Sequence, residues 1–383
     1  MMLKADYPLE RFSTLRTPFY YYDTSLLQRT LESVRAQTAA HPSWKVHYAV
    51  KANHNPVILK QIASAGLGAD CVSGGEIQAA LDAGFPPGSI VFAGVGKADW
   101  EILLGLEAGI GRFNIESTAE MHVIAQLAAE RGGTAPVSIR INPDIGAHTL
   151  AGITTGLAEN KFGIFHGQAE EVIREILTLP SLRFCGLHFH IGSQILDMTD
   201  FAALCNRIND LCNRLERLGL PVGDLNVGGG LGIEYGHPNH LPIADFKAYF
   251  DTFRSLLPPK YPLHFELGRS IVASCGSLIS RVLYVKEGLA KQFAVLDAGM
   301  NDLIRPALYH AAHRIENLSS DGPEQNYDVV GPVCESSDVF GKGIVLNECH
   351  RGDIIAIRSA GAYGESMASQ YNCRPLPPAF FSE

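Results

Sequence analysis

Lys51 ends the apolar run Val46-His47-Tyr48-Ala49-Val50, and Ala52-Asn53-His54-Asn55-Pro56 then stops it. An amine where a buried strand meets a loop is costly to bury unless it is paired or neutralised. It is also where a barrel enzyme places an amine that must form a Schiff base. A lone lysine after a strand is ordinarily a surface residue, so Lys51 gains meaning only from its companions. Asp70 and Ser73 close the next apolar run, and Arg140 and Asn142 close a later one. His188 and His190 are followed by Gly192-Ser193-Gln194, and Val227 by Gly228-Gly229-Gly230-Leu231-Gly232. Glu266-Leu267-Gly268-Arg269-Ser270 ends the last apolar run of this kind.

Each fragment alone is weak. A glycine-rich stretch usually makes a plain turn, and a histidine in an apolar strand is usually a satisfied core residue. Their convergence is informative. Backbone N–H groups in a turn without Cβ atoms can approach an anion closely, and Ser193 and Arg269 add donors. A phosphate cradle, a lysine, a histidine and a glutamate on one rim suit pyridoxal 5'-phosphate. Lys51 would carry the cofactor, and the histidine, His188 or His190, would stack on its ring. Glu266 would face the pyridine nitrogen and raise its pKa, because a protonated ring is the stronger electron sink.

The elements that must position these residues are eight short apolar strands. They are expected at 46–50, 67–72, 90–92, 112–115, 137–141, 184–191, 225–227 and 263–267. Continuous β-branched and aromatic runs suit strands buried on both faces. Amphipathic stretches lie between them, including 75–83, 118–131, 169–178, 200–218 and 244–257, several following a Ser, Thr or Asp N-cap. This alternation predicts a parallel (β/α)8 TIM-type barrel over residues 23–270. A doubly wound sheet is the alternative, but its glycine-rich turn follows the first strand, whereas here it follows the seventh. Residues 271–383 read as a β-rich second domain. The strand Phe19-Tyr20-Tyr21-Tyr22 is expected to bring residues 1–22 to that domain, ahead of a helix capped by Thr24. The segment from Asn142 to Phe162 is long for a βα loop and suggests a mobile lid.

The 383 residues carry a net charge of −9 and no basic run, which argues against nucleic acid and anionic membranes as partners. No apolar run reaches the ~18 residues of a membrane span. The stretch from Met1 to Tyr7 lacks the hydrophobic region of an export signal. The eight cysteines are scattered without a CxxC pair, as in a reduced cytoplasmic protein without a zinc site.

Tyr48-Ala49-Val50-Lys51-Ala52-Asn53, His188-Phe189-His190-Ile191-Gly192-Ser193-Gln194 and Gly228-Gly229-Gly230-Leu231-Gly232 resemble the diaminopimelate decarboxylase family. So do Arg140-Ile141-Asn142-Pro143-Asp144, Asn160-Lys161-Phe162-Gly163-Ile164, Cys334-Glu335-Ser336 and Gly361-Ala362-Tyr363. That family belongs to the alanine-racemase-like, fold-type III pyridoxal-phosphate enzymes, and the resemblance covers nearly the whole chain. It implies decarboxylation of meso-2,6-diaminopimelate to lysine. It also implies that Asp70, Ser193, Gly229, Gly230, Gly268 and Arg269 join Lys51 and Glu266 in binding the cofactor, with His190 as the histidine stacked on its ring, that Arg269, Arg305 and Tyr309 hold the substrate, and that Tyr363 contacts cofactor and substrate. Cys334 and Glu335 resemble the family's pair that completes the neighbouring active site of a homodimer, the thiol acting in protonation and the carboxylate on the distal amine. The family commonly has Glu-Pro-Gly-Arg where this chain has Glu266-Leu267-Gly268-Arg269. The distal carboxylate calls for arginine, whereas ornithine, arginine and carboxynorspermidine lack it or place it differently. A polyamine-pathway decarboxylase is therefore the enzymatic alternative. A non-catalytic cofactor-binding relative would not need Cys334, Glu335 or Arg305. A metal-dependent barrel hydrolase fits poorly, since no compact ligand pattern is present.

Overall fold

The computed structural model describes residues 6–143 and 161–382. By its internal contacts the chain divides into two compact units. One comprises Leu31–Gly232 and Asp245–Gly268, and the other Met1–Thr30, Ile233–Ala244 and Arg269–Glu383. Residues 233–244 thus group with the β-rich unit although they lie between two barrel strands in sequence. Of the expected lid, residues 144–160 lie outside the described residues, as do Asp144 and Asn160 of the quoted motifs.

The first unit is the expected closed barrel. Its strands are Lys45–Ala49, Gly68–Cys71, Ile90–Phe92, Arg112–Ile115, Ala135–Asn142, Leu182–Phe189, Asp224–Asn226 and Leu263–Leu267. Each pairs in parallel with the next, and the eighth pairs with the first through Phe265 opposite Val46. Val50, expected in the first strand, instead opens the single 3-10 turn Val50–Ala52 that carries Lys51. The strands are also less uniformly apolar than the sequence suggests. Residues two apart share a face of a strand, and on several strands one face is polar. His47, Arg112, Ser138, Asp224 and His264 are linked near the strand starts, where Arg112 Nη2 donates to Asp224 Oδ2 (2.7 Å) and the rings of His47 and His264 are 2.9 Å apart at Nε2 and Nδ1. Two residues further along, Asn114, Asn226 and Glu266 form a second connected set. The alternate face is apolar, with Tyr48, Phe92, Phe113, Ile139, Leu187, Leu225, Phe265 and Leu267 fully buried.

Helices are started by short polar side chains, as the sequence leads one to expect. Ser73, Ser117, Asp197 and Asp245 accept hydrogen bonds from first-turn backbone N–H groups. The helix Thr24–Thr38 corrects one assignment. Its start is capped by Asp23, whose Oδ1 accepts from the Leu26 N–H (2.9 Å), while Thr24 Oγ1 bonds Ser382 Oγ (2.8 Å). A carboxylate one residue earlier is better placed to meet the first free N–H groups.

In the β-rich unit the long strand Gly276–Glu287 pairs antiparallel with Phe19–Tyr22, Ile354–Ile357 and Gln292–Leu296. The N-terminal strand therefore does join this sheet. It also pairs in parallel with Ala379–Phe381 near the C-terminus. Tyr7, Phe12, Phe19, Tyr21, Ile279 and Leu318 form a core cluster there.

Candidate functional site

At the C-terminal end of the barrel strands, Glu266 is the hub of a buried polar network. His188 Nε2 lies 2.9 Å from Glu266 Oε2, while Asn226 Nδ2 (2.6 Å) and Asn114 Nδ2 (3.3 Å) donate to Oε1. Burial alone would raise the glutamate's pKa. The pairing and hydrogen bond with His188, together with the hydrogen bond from Asn226, outweigh it and hold the carboxyl well below the usual carboxylate range. Glu266 is therefore an anion at neutral pH.

Asn226 also joins this carboxylate to the glycine turn, because its Oδ1 accepts from the Gly228 N–H (2.9 Å). The turn itself leaves no space for side chains. A Cβ on Gly229 would lie 1.7 Å from the Glu266 carbonyl oxygen, and one on Gly228 would lie 2.3 Å from that of Phe189. Gly228 also has φ +74°, a conformation that favours glycine. Ser193 is held beside the turn, since Ile195 N–H donates to the Gly230 carbonyl and Gly232 N–H to that of Ile195, both 2.9 Å. Gly268 lets the eighth strand end pack on the first, where its Cβ would sit 3.0–3.1 Å from those of Ala49 and Ala52.

His190 Nδ1 accepts from the Gly229 N–H (3.4 Å), and burial with Arg140 and Lys51 nearby pushes its pKa well below the usual histidine value. It is a neutral ring, suited to stacking and not to acid catalysis. Lys51 is exposed, and its charge reaches Asp70, Glu76 and His190. Asp70 is buried, and its Oδ1 has no hydrogen-bond partner among the described residues. Burial, then repulsion from Glu266, raises its pKa well above the ordinary value. Arg140, expected at the rim, is there but paired, its Nη1 2.7 Å from Glu116 Oε1.

The β-rich unit holds a second set. Arg269 and Arg305 are both buried and meet on Tyr235. Arg269 Nη1 donates to the Tyr235 hydroxyl (2.8 Å), and the Arg305 guanidinium lies 4.7 Å from the ring centre. The Arg269 guanidinium also lies 4.8 Å from the Tyr363 ring, and Tyr309 contributes to its electrostatic surroundings. Cys334 and Glu335 are exposed on a turn whose contacts run elsewhere. Cys334 N–H points to Asn372 Oδ1 (3.5 Å), and Glu335 accepts from the Tyr371 hydroxyl. Asp338 ties that turn to the loop that precedes Arg305, accepting from Val333 and Met300 N–H groups, both at 2.7 Å.

Sequence reasoning singled out Lys51, Asp70, His190, Glu266 and the glycine turn, and these gather on the barrel. It gave no role to Asn114, Asn226, Glu116, Tyr235 or His313, and none to His188 beyond its place on the strand. The spacing of His188 and His190 was a usable signal, since residues two apart on a strand share a face. The buried acceptor Asp70, the side-chain-free cradle and the ionised Glu266 together suit pyridoxal phosphate, with its aldehyde, phosphate and ring nitrogen. No group of metal-ligating residues is found among the described residues.

Residues 27–273 match the family described as pyridoxal-dependent decarboxylase, pyridoxal binding domain. Diaminopimelate decarboxylase of Bacteroides thetaiotaomicron is 61% identical over 383 residues, covering 100% of this chain and 99% of the relative. The crystal structure of diaminopimelate decarboxylase from Helicobacter pylori complexed with L-lysine superposes with a TM-score of 0.92 at 42% identity, covering 98% of this chain and 94% of the other. A lysine/ornithine decarboxylase from Vibrio vulnificus, complexed with putrescine, shares the fold at TM-score 0.84 and 20% identity, covering 100% of this chain and 99% of the other.

Proposed function

The chain belongs to the diaminopimelate decarboxylase family of pyridoxal-dependent enzymes, and on that premise we propose which of its residues perform the reaction. The reaction is decarboxylation of meso-2,6-diaminopimelate to L-lysine and carbon dioxide. Bound pyridoxal phosphate supplies the electron sink into which the bond from Cα to the departing carboxylate breaks. Lys51 would hold its aldehyde, and Ser193, Gly229, Gly230 and Arg269 its phosphate. Glu266, kept ionised by His188 and Asn226, would hold a proton on the ring nitrogen. His190 would cover the ring face, and Asp70, Gly268 and Tyr363 would complete the cofactor surroundings. The family match over residues 27–273 supports a cofactor-binding domain of about residues 23–270, with residues 1–22 joining the β domain of residues 271–383.

One observation carries the choice of substrate. Arg305 is a buried guanidinium whose Nη1 bonds a histidine, His313, and for which no carboxylate lies within ion-pair distance among the described residues, and it shares Tyr235 with Arg269. A fixed cation of this kind suits a distal carboxylate, with Arg269 and Tyr309 beside it. Glu335 would take the distal ammonium, and Cys334 would deliver the proton that replaces the departing carboxylate. The exposure of this pair supports a homodimer in which each subunit supplies them to its neighbour. Lysine biosynthesis in the cytoplasm is the matching setting. No helix among the described residues is long and apolar enough to cross a membrane.

The test is release of carbon dioxide by the purified protein from diaminopimelate, ornithine and arginine in parallel. Diaminopimelate is expected to be consumed fastest, with lysine as the product. Faster release from ornithine would move the protein to polyamine synthesis.

A further inference from the structure

We infer that His313 is a positioning residue for substrate binding, a neutral imidazole that fixes the Arg305 guanidinium without neutralising it. The inference rests on Arg305 holding the distal carboxylate. His313 is buried, with Nδ1 2.8 Å from the Arg358 carbonyl oxygen and Nε2 2.8 Å from Arg305 Nη1. A carbonyl only accepts, so Nδ1 carries the proton. A guanidinium only donates, so Nε2 is the bare nitrogen that receives it. The two partners thus select one neutral tautomer. Burial and the adjacent Arg305 agree, pushing the pKa of His313 down to about 3.

The alternative partner for a buried arginine is a carboxylate. It would give a stronger bond, but it would cancel the charge that a second carboxylate must find. Here His313 and Tyr235 orient Arg305 and leave that charge in place. The Tyr235 ring offers its face at 4.7 Å and packs edge-on against His313, with ring centres 5.1 Å apart. Arg305 Nε has no hydrogen-bond partner among the described residues. The anchor behind His313 is itself fixed, since the Arg358 guanidinium donates to Asn239 Oδ1 (3.0 Å) and Glu316 Oε2 (3.3 Å). Tyr235 and Asn239 both belong to the segment Ile233–Ala244, which groups with this unit.

The test compares His313→Leu and His313→Gln as holoenzymes in steady-state decarboxylation of diaminopimelate. Glutamine reproduces the pattern of one acceptor toward Arg305 and one donor toward the Arg358 carbonyl, and leucine does not. Losing a hydrogen bond to a charged group costs about a factor of 10 or more in affinity. The leucine variant is therefore expected to raise KM by about 10-fold or more, with kcat within about 3-fold of wild type and the cofactor's absorbance unchanged. The glutamine variant should keep KM within about 3-fold of wild type. If the leucine variant does not fold, His313→Asn, too short to reach both partners, takes its place with the same expectation. An unchanged KM in the leucine or asparagine variant, or a loss confined to kcat, would overturn the inference. So would a folded glutamine variant as impaired as leucine. Wild-type protein that releases no carbon dioxide from diaminopimelate would instead overturn the reading on which it rests.

Discussion

Glu266 and Asp70 are buried carboxyls on one barrel whose neighbours push them in opposite directions. Among the described residues Glu266 has three nitrogen partners, whereas Asp70 keeps an oxygen without any. Their effects on stability are therefore opposite in sign. Asp70 has a raised folded pKa, so its contribution is complete below the ordinary aspartate value of about 4 and is lost as pH rises. Asp70→Asn is expected to raise the melting temperature of cofactor-free protein at pH 7, with the gain disappearing at about pH 3.5. Calorimetry at the two pH values checks this. Glu266 has a depressed folded pKa, so its contribution is present above about pH 4.3 and fades as pH falls through the folded value. Glu266→Gln should lower the melting temperature at neutral pH and reduce turnover by about 100-fold or more, with cofactor still bound by absorbance. Lys51, His190 and Glu266 were legible because residue type and place at a strand end suffice to suggest their chemistry. Asn114, Asn226 and His313 were not, because their meaning lies in cross-strand and cross-loop partners that only the folded register brings within hydrogen-bond distance.

At the scale of elements, the glycine turn between the seventh strand and residue 232 is the stiffest geometric demand. Gly229 lies against the backbone of Glu266, so a side chain there must displace one strand end. Gly229→Ala is expected to preserve the far-ultraviolet circular dichroism of the fold while weakening cofactor retention by about 10-fold or more, measured by dialysis and absorbance. The eight barrel strands were legible as short β-branched and aromatic runs, and their order followed from alternation with amphipathic helices. Strands of the β-rich unit were less so. Val339–Asn347 is broken by Gly341-Lys342-Gly343, with Gly343 at φ +61°, and mixes exposed with buried positions. Ile315–Asn317 and Ala379–Phe381 span three residues each and exist only through their neighbours. The polar face of the barrel strands was likewise hidden, since single histidines and asparagines within apolar runs do not announce a shared layer.

At the scale of the whole molecule, the proposed exchange of Cys334 and Glu335 between subunits makes catalysis a property of the dimer. The pair is exposed, and its turn is braced by Asp338 from within its own unit. Lys51→Ala and Cys334→Ala should each be inactive alone. Mixed and allowed to exchange subunits, they should recover roughly a quarter of wild-type activity, since a random heterodimer is half the population and restores one of two sites. Absence of recovery despite proven exchange would confine each site to a single chain.

The measurement that bears most directly on the account is borohydride reduction of the purified holoenzyme, followed by peptide mapping. The visible absorbance of the bound cofactor should be bleached, and the pyridoxyl label should reside on Lys51 alone. A label on another lysine, or an unmodified Lys51 in protein that decarboxylates diaminopimelate, would contradict it.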